Sequence, residues 1–172
     1  NGKWHHPDMD LVSLFVDQVG STDFSQERGK RHPELKMCKT IAEALTLGGE
    51  KLAVDGVVLV GEHGRYKRNE KGQMMYPRYE FFEQIVDVFR KSGRSVPVFN
   101  DKHLSWNWEW AKKMYDTSRE MGFAFQAGSS LPVTWRTPSV EMPLGTKIRE
   151  ALSICYGGVD SYDFHGLETI QC

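Results

Sequence analysis

Three adjacent residues, Asp101, Lys102 and His103, place a carboxylate, an ammonium and an imidazole directly after the apolar run Ser95 to Asn100. A Lys that ends a strand beside a helix N-terminus is partly removed from water, and desolvation lowers the pKa of an ammonium toward neutrality. Such a group can exchange a proton with a substrate hydroxyl, as the transfer of a hydride from an alcohol requires. We therefore expect Lys102 to be catalytic; the alternative is a surface ion pair with Asp101.

The same residues, together with two others, could instead hold a metal ion. Carboxylate oxygens and imidazole nitrogens are ligands that Zn²⁺, Mn²⁺ and Fe²⁺ use when they activate water or a sugar hydroxyl. The alternative function is therefore a metal-dependent sugar hydrolase or isomerase with Glu62, His63, Asp101 and His103 as ligands. These ligands are dispersed along the chain, so they predict a metal site less specifically than a closely spaced motif would.

The positions of these residues depend on alternating strand-like and helix-like segments. Short apolar, β-branched runs predict four strands, at Leu11 to Asp17, Val54 to Val60, Ser95 to Asn100 and Phe123 to Ala127. Helical spacing and capping signals predict four helices, at Ser25 to Arg31, Thr40 to Gly48, Pro77 to Gly93 and Ser105 to Gly122. Strands separated by helices run parallel, so we expect the α/β class, with an open, mostly parallel, Rossmann-like sheet and helices on both faces.

In an open parallel sheet, ligands bind outside the carboxyl ends of the strands, where loops and helix N-termini converge. The predicted strands lead into Asp17, Gly61 to Gly64, Asp101 to His103 and Gly128 to Ser130. We expect these four segments to form one polar rim. The alternative is that they are ordinary turns, although His and Lys are more frequent here than turn chemistry requires.

The segments around Lys102 are similar to a known family. The run VDGVVLVG at Val54 to Gly61, a helix that ends at Ser92-Gly93 and the segment VPVFNDKHLS occur in this order. In this respect the chain resembles the amino-terminal domain of the Gfo/Idh/MocA oxidoreductases. That family closes the corresponding strand with Glu-Lys-Pro before a helix that starts at Leu-Ser or Leu-Thr. By resemblance its functional Lys corresponds to Lys102, and His103 stands where the family has Pro.

The resemblance implies an activity and a cofactor. It indicates an NAD(P)-dependent oxidoreductase that transfers a hydride at a hydroxyl of a sugar or cyclitol, which is a small, carbohydrate-like substrate. Asp17 would accept the ribose hydroxyls and repel a 2′-phosphate, and this favours NAD over NADP. Gly61, Glu62, His63 and Asp101 would flank the cofactor.

The resemblance also implies a second catalytic group. The family has an Asp-x-Gly-x-His segment that starts a helix and supplies a catalytic His. Asp163 and His165 stand in a similar context with a shorter spacing, and by resemblance His165 is catalytic. His103 and Ser129, on the same rim, are assigned to the substrate. The alternative is a catalytically degenerate member that only binds its ligand, because His103 and the segment around His165 depart from the family's motifs.

The change of composition and periodicity along the chain also predicts how the chain is divided. Residues 1–130 form the Rossmann-like unit, residues 131–149 a Pro-containing linker, and residues 150–172 the beginning of an α+β domain with a strand at Glu150 to Tyr156 and a helix at Phe164 to Cys172. No G-x-G-x-x-G follows a strand. We therefore expect a fragment whose first strand and helix precede Asn1.

Composition narrows the classes of partner. The chain has 172 residues with 22 basic and 23 acidic side chains, a net charge of −1, and 40% apolar residues, as globular proteins do. It has no large basic cluster for nucleic acid and no apolar run long enough for a membrane helix. Three cysteines without metal-ligand spacing suggest a reducing compartment, the cytoplasm. The Trp residues at 106, 108 and 110 could form a contact in a homo-oligomer.

Overall fold

Five short strands form two parallel sheets in a computed structural model that describes residues 8–172. The strands are β1 Ser13–Phe15, β2 Lys36–Cys38, β3 Val57–Leu59, β4 Val98–Asp101 and β5 Phe125–Gly128. β1 pairs with β2, and a second sheet has the order β3, β4, β5. Each of these pairings is parallel, which confirms the predicted α/β class with parallel strands. The sheet has two parts, however, because β1 and β3 do not pair within residues 8–172.

Helices follow the strands in alternation. They are α1 Ser25–Arg31, α2 Ile41–Thr46, α3 Arg78–Ser92, α4 Trp108–Glu120 and α5 Val159–Gln171, and a 3₁₀ turn spans Leu131–Val133. The predicted capping box opens α2: the Thr40 hydroxyl accepts a hydrogen bond from the Glu43 amide at 3.0 Å, and the Glu43 carboxylate accepts one from the Lys39 amide at 2.9 Å. The residue after α3 is Gly93, in the left-handed region with φ 63°, as a helix end favours.

Helices lie on both faces of the sheet formed by β1 and β2. Met37 of β2 points to α1, where a Cβ on Gly29 would lie 2.9 Å from the Met37 Cγ. Lys36 points the other way, and its Nζ donates to the carbonyl of Leu47, just after α2, at 2.7 Å. Since consecutive side chains of a strand point to opposite faces, α1 and α2 cover opposite faces.

The core lies where α3 packs against the two sheets. Phe82, Val86 and Phe89 of α3 have no exposed surface, and Val98 of β4 and Met114 of α4 are similarly buried. The spacing of the α3 residues is that of one helix face, as the sequence predicted. This core holds the strand ends in a defined position.

The observed elements differ from the predicted ones at two places. β2 was not predicted, since three residues that include a Lys carry little strand signal. The helix predicted from Ser105 begins at Trp108, because the Asn107 side chain accepts the Trp110 amide at 3.1 Å and caps α4.

The carboxyl-terminal segment also differs from its prediction. Residues 150–156 do not form the predicted strand. Their side chains do alternate: Leu152 and Ile154 are 84% and 86% exposed, whereas Cys155 faces Gly166 of α5. The segment is no strand because it pairs with no other strand among residues 8–172. The predicted terminal helix begins earlier, at Val159.

No helix within residues 8–172 is long and apolar enough to span a membrane.

The core makes a direct prediction. Phe82→Ala removes a fully buried ring from the centre of α3, and we expect it to lower the free energy of unfolding by about 3–5 kcal/mol. The control Phe24→Ala removes a ring that is 62% exposed and should change the free energy by less than about 0.5 kcal/mol. Urea unfolding of both variants measures this. Equal effects would mean that α3 does not organise the core.

Candidate functional site

Lys102 lies between two carboxylates at the carboxyl ends of β3 and β4. Its Nζ donates to Oδ2 of Asp101, the last residue of β4, at 3.1 Å, and to Oε2 of Glu62, in the loop after β3. The parallel register pairs Leu59 with Asn100 and so brings Glu62 beside Lys102. The three side chains are only 17–26% exposed. We call these three residues the lysine cluster.

The lysine cluster keeps Lys102 protonated. Burial lowers the pKa of Lys102, but its hydrogen bonds and charge interactions with Glu62 and Asp101 outweigh burial and raise the pKa above the usual value. The sequence-based expectation of a lowered pKa is therefore wrong, because it considered desolvation without the two carboxylates. Lys102 is an ammonium that can donate hydrogen bonds and stabilise negative charge, and it is not a general base near neutral pH.

Glu62 shows the opposite shift from the same contacts. Burial raises the pKa of Glu62, but the hydrogen bond and the charge of Lys102 outweigh burial and lower it below the usual value. The carboxylate is thus ionised at neutral pH. Glu62 and Lys102 therefore form an ion pair of opposite charges.

A cleft of about 630 Å³ opens beside the lysine cluster. Its walls come from the ends of β4 and β5, the 3₁₀ turn and α5: Phe99, Asp101, Lys102, Gln126, Ser129, Ser130, Pro132, Val133 and His165. The cleft therefore brings together four of the residues predicted for the site, Asp101, Lys102, Ser129 and His165. Lys102 and His165, which are 63 positions apart in the sequence, line the same space.

Helix α5 is attached to the end of β5 through Glu168. The Glu168 carboxylate accepts hydrogen bonds from the Ser129 amide, at 3.1 Å, and from the Ser129 hydroxyl. The same hydroxyl accepts a hydrogen bond from the Leu131 amide at 3.1 Å. The hydroxyl of Ser129 is thus engaged within the protein, although Ser129 lines the cleft. Sequence reasoning missed Glu168, whose one available signal was its position three residues after His165.

His103 lies beside α5 and is not part of the cleft wall. Its ring centroid is 6.4 Å from that of Phe164. Burial, and then the positive charge of Arg78, lower the pKa of His103, so its imidazole is neutral at neutral pH. Its Nδ1 is buried and has no hydrogen-bond partner within residues 8–172.

Arg78 is a buried cation that sequence reasoning did not identify. It begins α3, is 2% exposed, and has no hydrogen-bond partner for Nε or Nη1 in the described part of the chain. Its guanidinium lies 4.8 Å from the ring centroid of Tyr76, at cation–π distance. A Cβ on Gly61 would be 2.7 Å from the Arg78 Cγ, so Gly61 makes room for Arg78. Desolvation lowers the pKa of Arg78, and Glu62 and Asp101 oppose this shift.

Asp17 and His63 lie away from the cleft. Asp17 is exposed after β1, and its carboxylate accepts a hydrogen bond from the Tyr66 hydroxyl at 2.8 Å. Burial and then Asp17 raise the pKa of Tyr66 to about 12. His63 is exposed and takes the left-handed region with φ 66°. The predicted rim is therefore continuous from Glu62 to His165, but Asp17 and His63 do not reach the cleft.

The predicted ligands of the alternative metal site do not converge. In the part of the chain that the structure describes, no three His, Cys, Asp or Glu side chains are grouped to hold a metal ion. Glu62 and Asp101 direct oxygens at Lys102, His63 is exposed, and His103 packs against Phe164.

The lysine cluster predicts how stability depends on pH. The pKa of Glu62 is lowered on folding, so its contribution is present above the unfolded value of about 4.3 and is lost as pH falls through the folded value. Glu62→Gln should therefore lower the free energy of unfolding by about 1 kcal/mol at pH 7 and by much less near pH 3. Urea unfolding at both pH values measures the difference. The exposed control Glu70→Gln should have little effect at either pH, and a Glu62→Gln effect that does not change with pH would contradict the assignment.

Comparisons with known proteins give one structural likeness. No protein-family model matches the chain, and no curated protein matches it either. The chain is similar to a crystal structure of a "putative oxidoreductase" from Bacteroides fragilis NCTC 9343, at 14% sequence identity and a TM-score of 0.45. The likeness covers 70% of this chain and 28% of the other. A similarity of this size identifies neither a family nor an activity.

Proposed function

We propose that this protein is an NAD(P)-dependent oxidoreductase that transfers a hydride at a hydroxyl of a sugar or cyclitol. The observation that carries the proposal is the cleft at the strand carboxyl ends, which an ammonium, Lys102, and an imidazole, His165, line together. Oxidation of an alcohol needs a group that stabilises the oxygen and a group that accepts its proton. The two side chains are suited to these two tasks.

Each residue at the cleft would have a separate role in this reaction. Lys102 donates a hydrogen bond to the substrate oxygen and stabilises negative charge there as the O–H proton leaves. Glu62 and Asp101 hold the ammonium in place. His165 accepts the hydroxyl proton on its Nε2, because Lys102 stays protonated and cannot accept one. A bound nicotinamide would supply the acceptor for the hydride, which would leave the carbon that bears this hydroxyl.

The residues in and near the cleft fit a nicotinamide cofactor. The cleft wall combines the polar groups of Lys102 and His165 with apolar side chains such as that of Val133. Asp101 and Glu62 would lie along the cofactor, and Gly61 and His63 would flank it. Asp17 would take the ribose: a carboxylate accepts about four hydrogen bonds, and Tyr66 supplies one. This assignment favours NAD over NADP.

The two separate sheets are compatible with a further strand that would join them. β1 and β3 each have one edge that pairs with no strand within residues 8–172. Their carboxyl ends lie on the same rim, since the Tyr66 hydroxyl bonds Asp17 and the Arg65 amide bonds the Gln18 side chain at 2.8 Å. We propose that a strand from elsewhere in the protein pairs with both edges. Residues 131–149 would then be the linker and residues 150–172 the beginning of a second domain, as the exposed side chains of Leu152 and Ile154 would allow.

The proposal also concerns partners and location. A small carbohydrate-like molecule is the proposed substrate, nucleic acid is not a proposed partner, and a homo-oligomer is a proposal that exposed Trp108 supports, at 74% exposure. Cys38, Cys155 and Cys172 are thiols, as a cytoplasmic protein would have.

The activity is tested with the complete protein. Incubation with NAD⁺ or NADP⁺ and a panel of sugars and cyclitols should produce the absorbance of the reduced nicotinamide, with NAD⁺ preferred. Lys102→Met should lower kcat by about 10²- to 10³-fold, because the oxygen loses its stabilising charge. The matched control Lys67→Met removes an exposed ammonium and should keep full activity.

Two results would contradict the proposed function. One is turnover that requires a stoichiometric transition metal and no nicotinamide. The other is a Lys102→Met variant that oxidises its substrate as fast as the control.

A further inference from the structure

We propose that Glu168 is a positioning residue that holds the imidazole of His165 through its Nδ1 and directs Nε2 into the cleft. This positioning is a property of the folded chain. The proton-accepting role that it would serve rests on the proposed function.

Glu168 connects α5 to the residue that follows β5. Its side chain is 11% exposed and accepts both the amide and the hydroxyl of Ser129. Gly128 lets the backbone approach: its φ is 154°, and a Cβ there would lie 3.1 Å from Oε1 of Glu168. A buried carboxylate with these donors is fixed in position, so it can in turn orient a neighbouring group.

His165 is the neighbouring group. It precedes Glu168 by three residues on α5, so both side chains lie on the same helix face. Nδ1 of His165 is buried, has no hydrogen-bond partner in the described residues, and lies 3.9 Å from Oε2 of Glu168. Catalytic hydrogen bonds are often long before a ligand binds, and rotation of the imidazole toward Glu168 would shorten this distance. The rings of Tyr162 and Phe164, at 6.2 and 6.0 Å between centroids, pack around the imidazole.

The negative charge of Glu168 favours an imidazole whose Nε2 faces the cleft. Nδ1–H donated to a carboxylate leaves Nε2 as the unprotonated nitrogen, which is the form that accepts a proton. Lys102 and Asp101 line the same cleft, and the ammonium already bonds Asp101 and Glu62. When Nε2 takes the proton of a substrate hydroxyl, the imidazolium forms beside the negative charge of Glu168, which stabilises it. The carbon that bears this hydroxyl would lose a hydride, for which a bound nicotinamide would be the acceptor, and its C–O bond would become a carbonyl.

The tautomer of His165 tests the proposal without any substrate. Nitrogen-15 NMR of the complete protein distinguishes Nδ1–H from Nε2–H imidazoles, and the signal of His165 is assigned by its loss in His165→Asn. We expect the Nδ1–H tautomer in the wild type and in Glu168→Gln, whose amide oxygen can still accept. In Glu168→Ala we expect the population to shift to Nε2–H. The matched control is Glu34→Gln, which removes the exposed partner of His32 at 3.1 Å and should leave His165 unchanged.

Two results would overturn the proposal: an Nε2–H tautomer of His165 in the wild type, or the same tautomer in Glu168→Ala as in the wild type. If Glu168→Ala does not fold, the wild-type tautomer alone decides, because an Nε2–H imidazole there overturns the proposal. If the proposed activity is found, Glu168→Gln should lower kcat by about 10- to 100-fold with little change in KM, because orientation is kept and charge is lost. If no activity is found but the tautomers behave as expected, the proposed function fails and the positioning role stands.

Discussion

The arrangement of the site depends on the burial of the Lys102 ammonium. A charge with 18% exposure is costly unless opposite charges and hydrogen bonds compensate it, and here two carboxylates do so. One belongs to β4 and the other to the loop after β3, so the lysine cluster forms only when these strands pair in parallel and in this register. The pairing is held in turn by the core residues of α3, which pack under both sheets. Folding and the chemistry of the site thus depend on the same contacts.

The second half of the site comes from a different part of the chain. The segment from Leu131 to the end has few buried side chains, yet α5 is fixed to β5 by a carboxylate that accepts two hydrogen bonds from one residue, Ser129. This contact helps to hold His165 at the wall of the cleft that Lys102 also lines. The sheet supplies a fixed ammonium and the helix supplies an imidazole, and the cleft between them has room for a small molecule. Burial, and then the positive charge of Arg78, lower the pKa of His103 and so hold its imidazole neutral.

Periodicity predicted the elements whose side chains alternate between core and solvent. The spacing of Phe82, Val86 and Phe89 is enough to predict α3, and the run before Asp101 is enough to predict β4. Periodicity does not report long-range pairing. It therefore predicts neither the edges of β1 and β3 that pair with no strand within residues 8–172 nor the failure of residues 150–156 to form a strand. The rule that ligands bind at strand carboxyl ends singled out Lys102 and Asp101, which line the cleft. It could not give the direction of the Lys102 pKa, because that depends on Glu62, 40 positions away. Glu168 and Arg78 were missed for the same reason: their environments are made by residues distant in the sequence.

The central claim is that the cleft between β4, β5 and α5 is where a nicotinamide and a hydroxyl-bearing substrate meet. A crystal structure of the complete protein with NADH tests it most directly. The account predicts density for the nicotinamide in this cleft, in contact with Lys102 or His165, and for the adenosine ribose near Asp17. A cofactor bound elsewhere, or a cleft that stays free of NADH at saturating concentration, would contradict it.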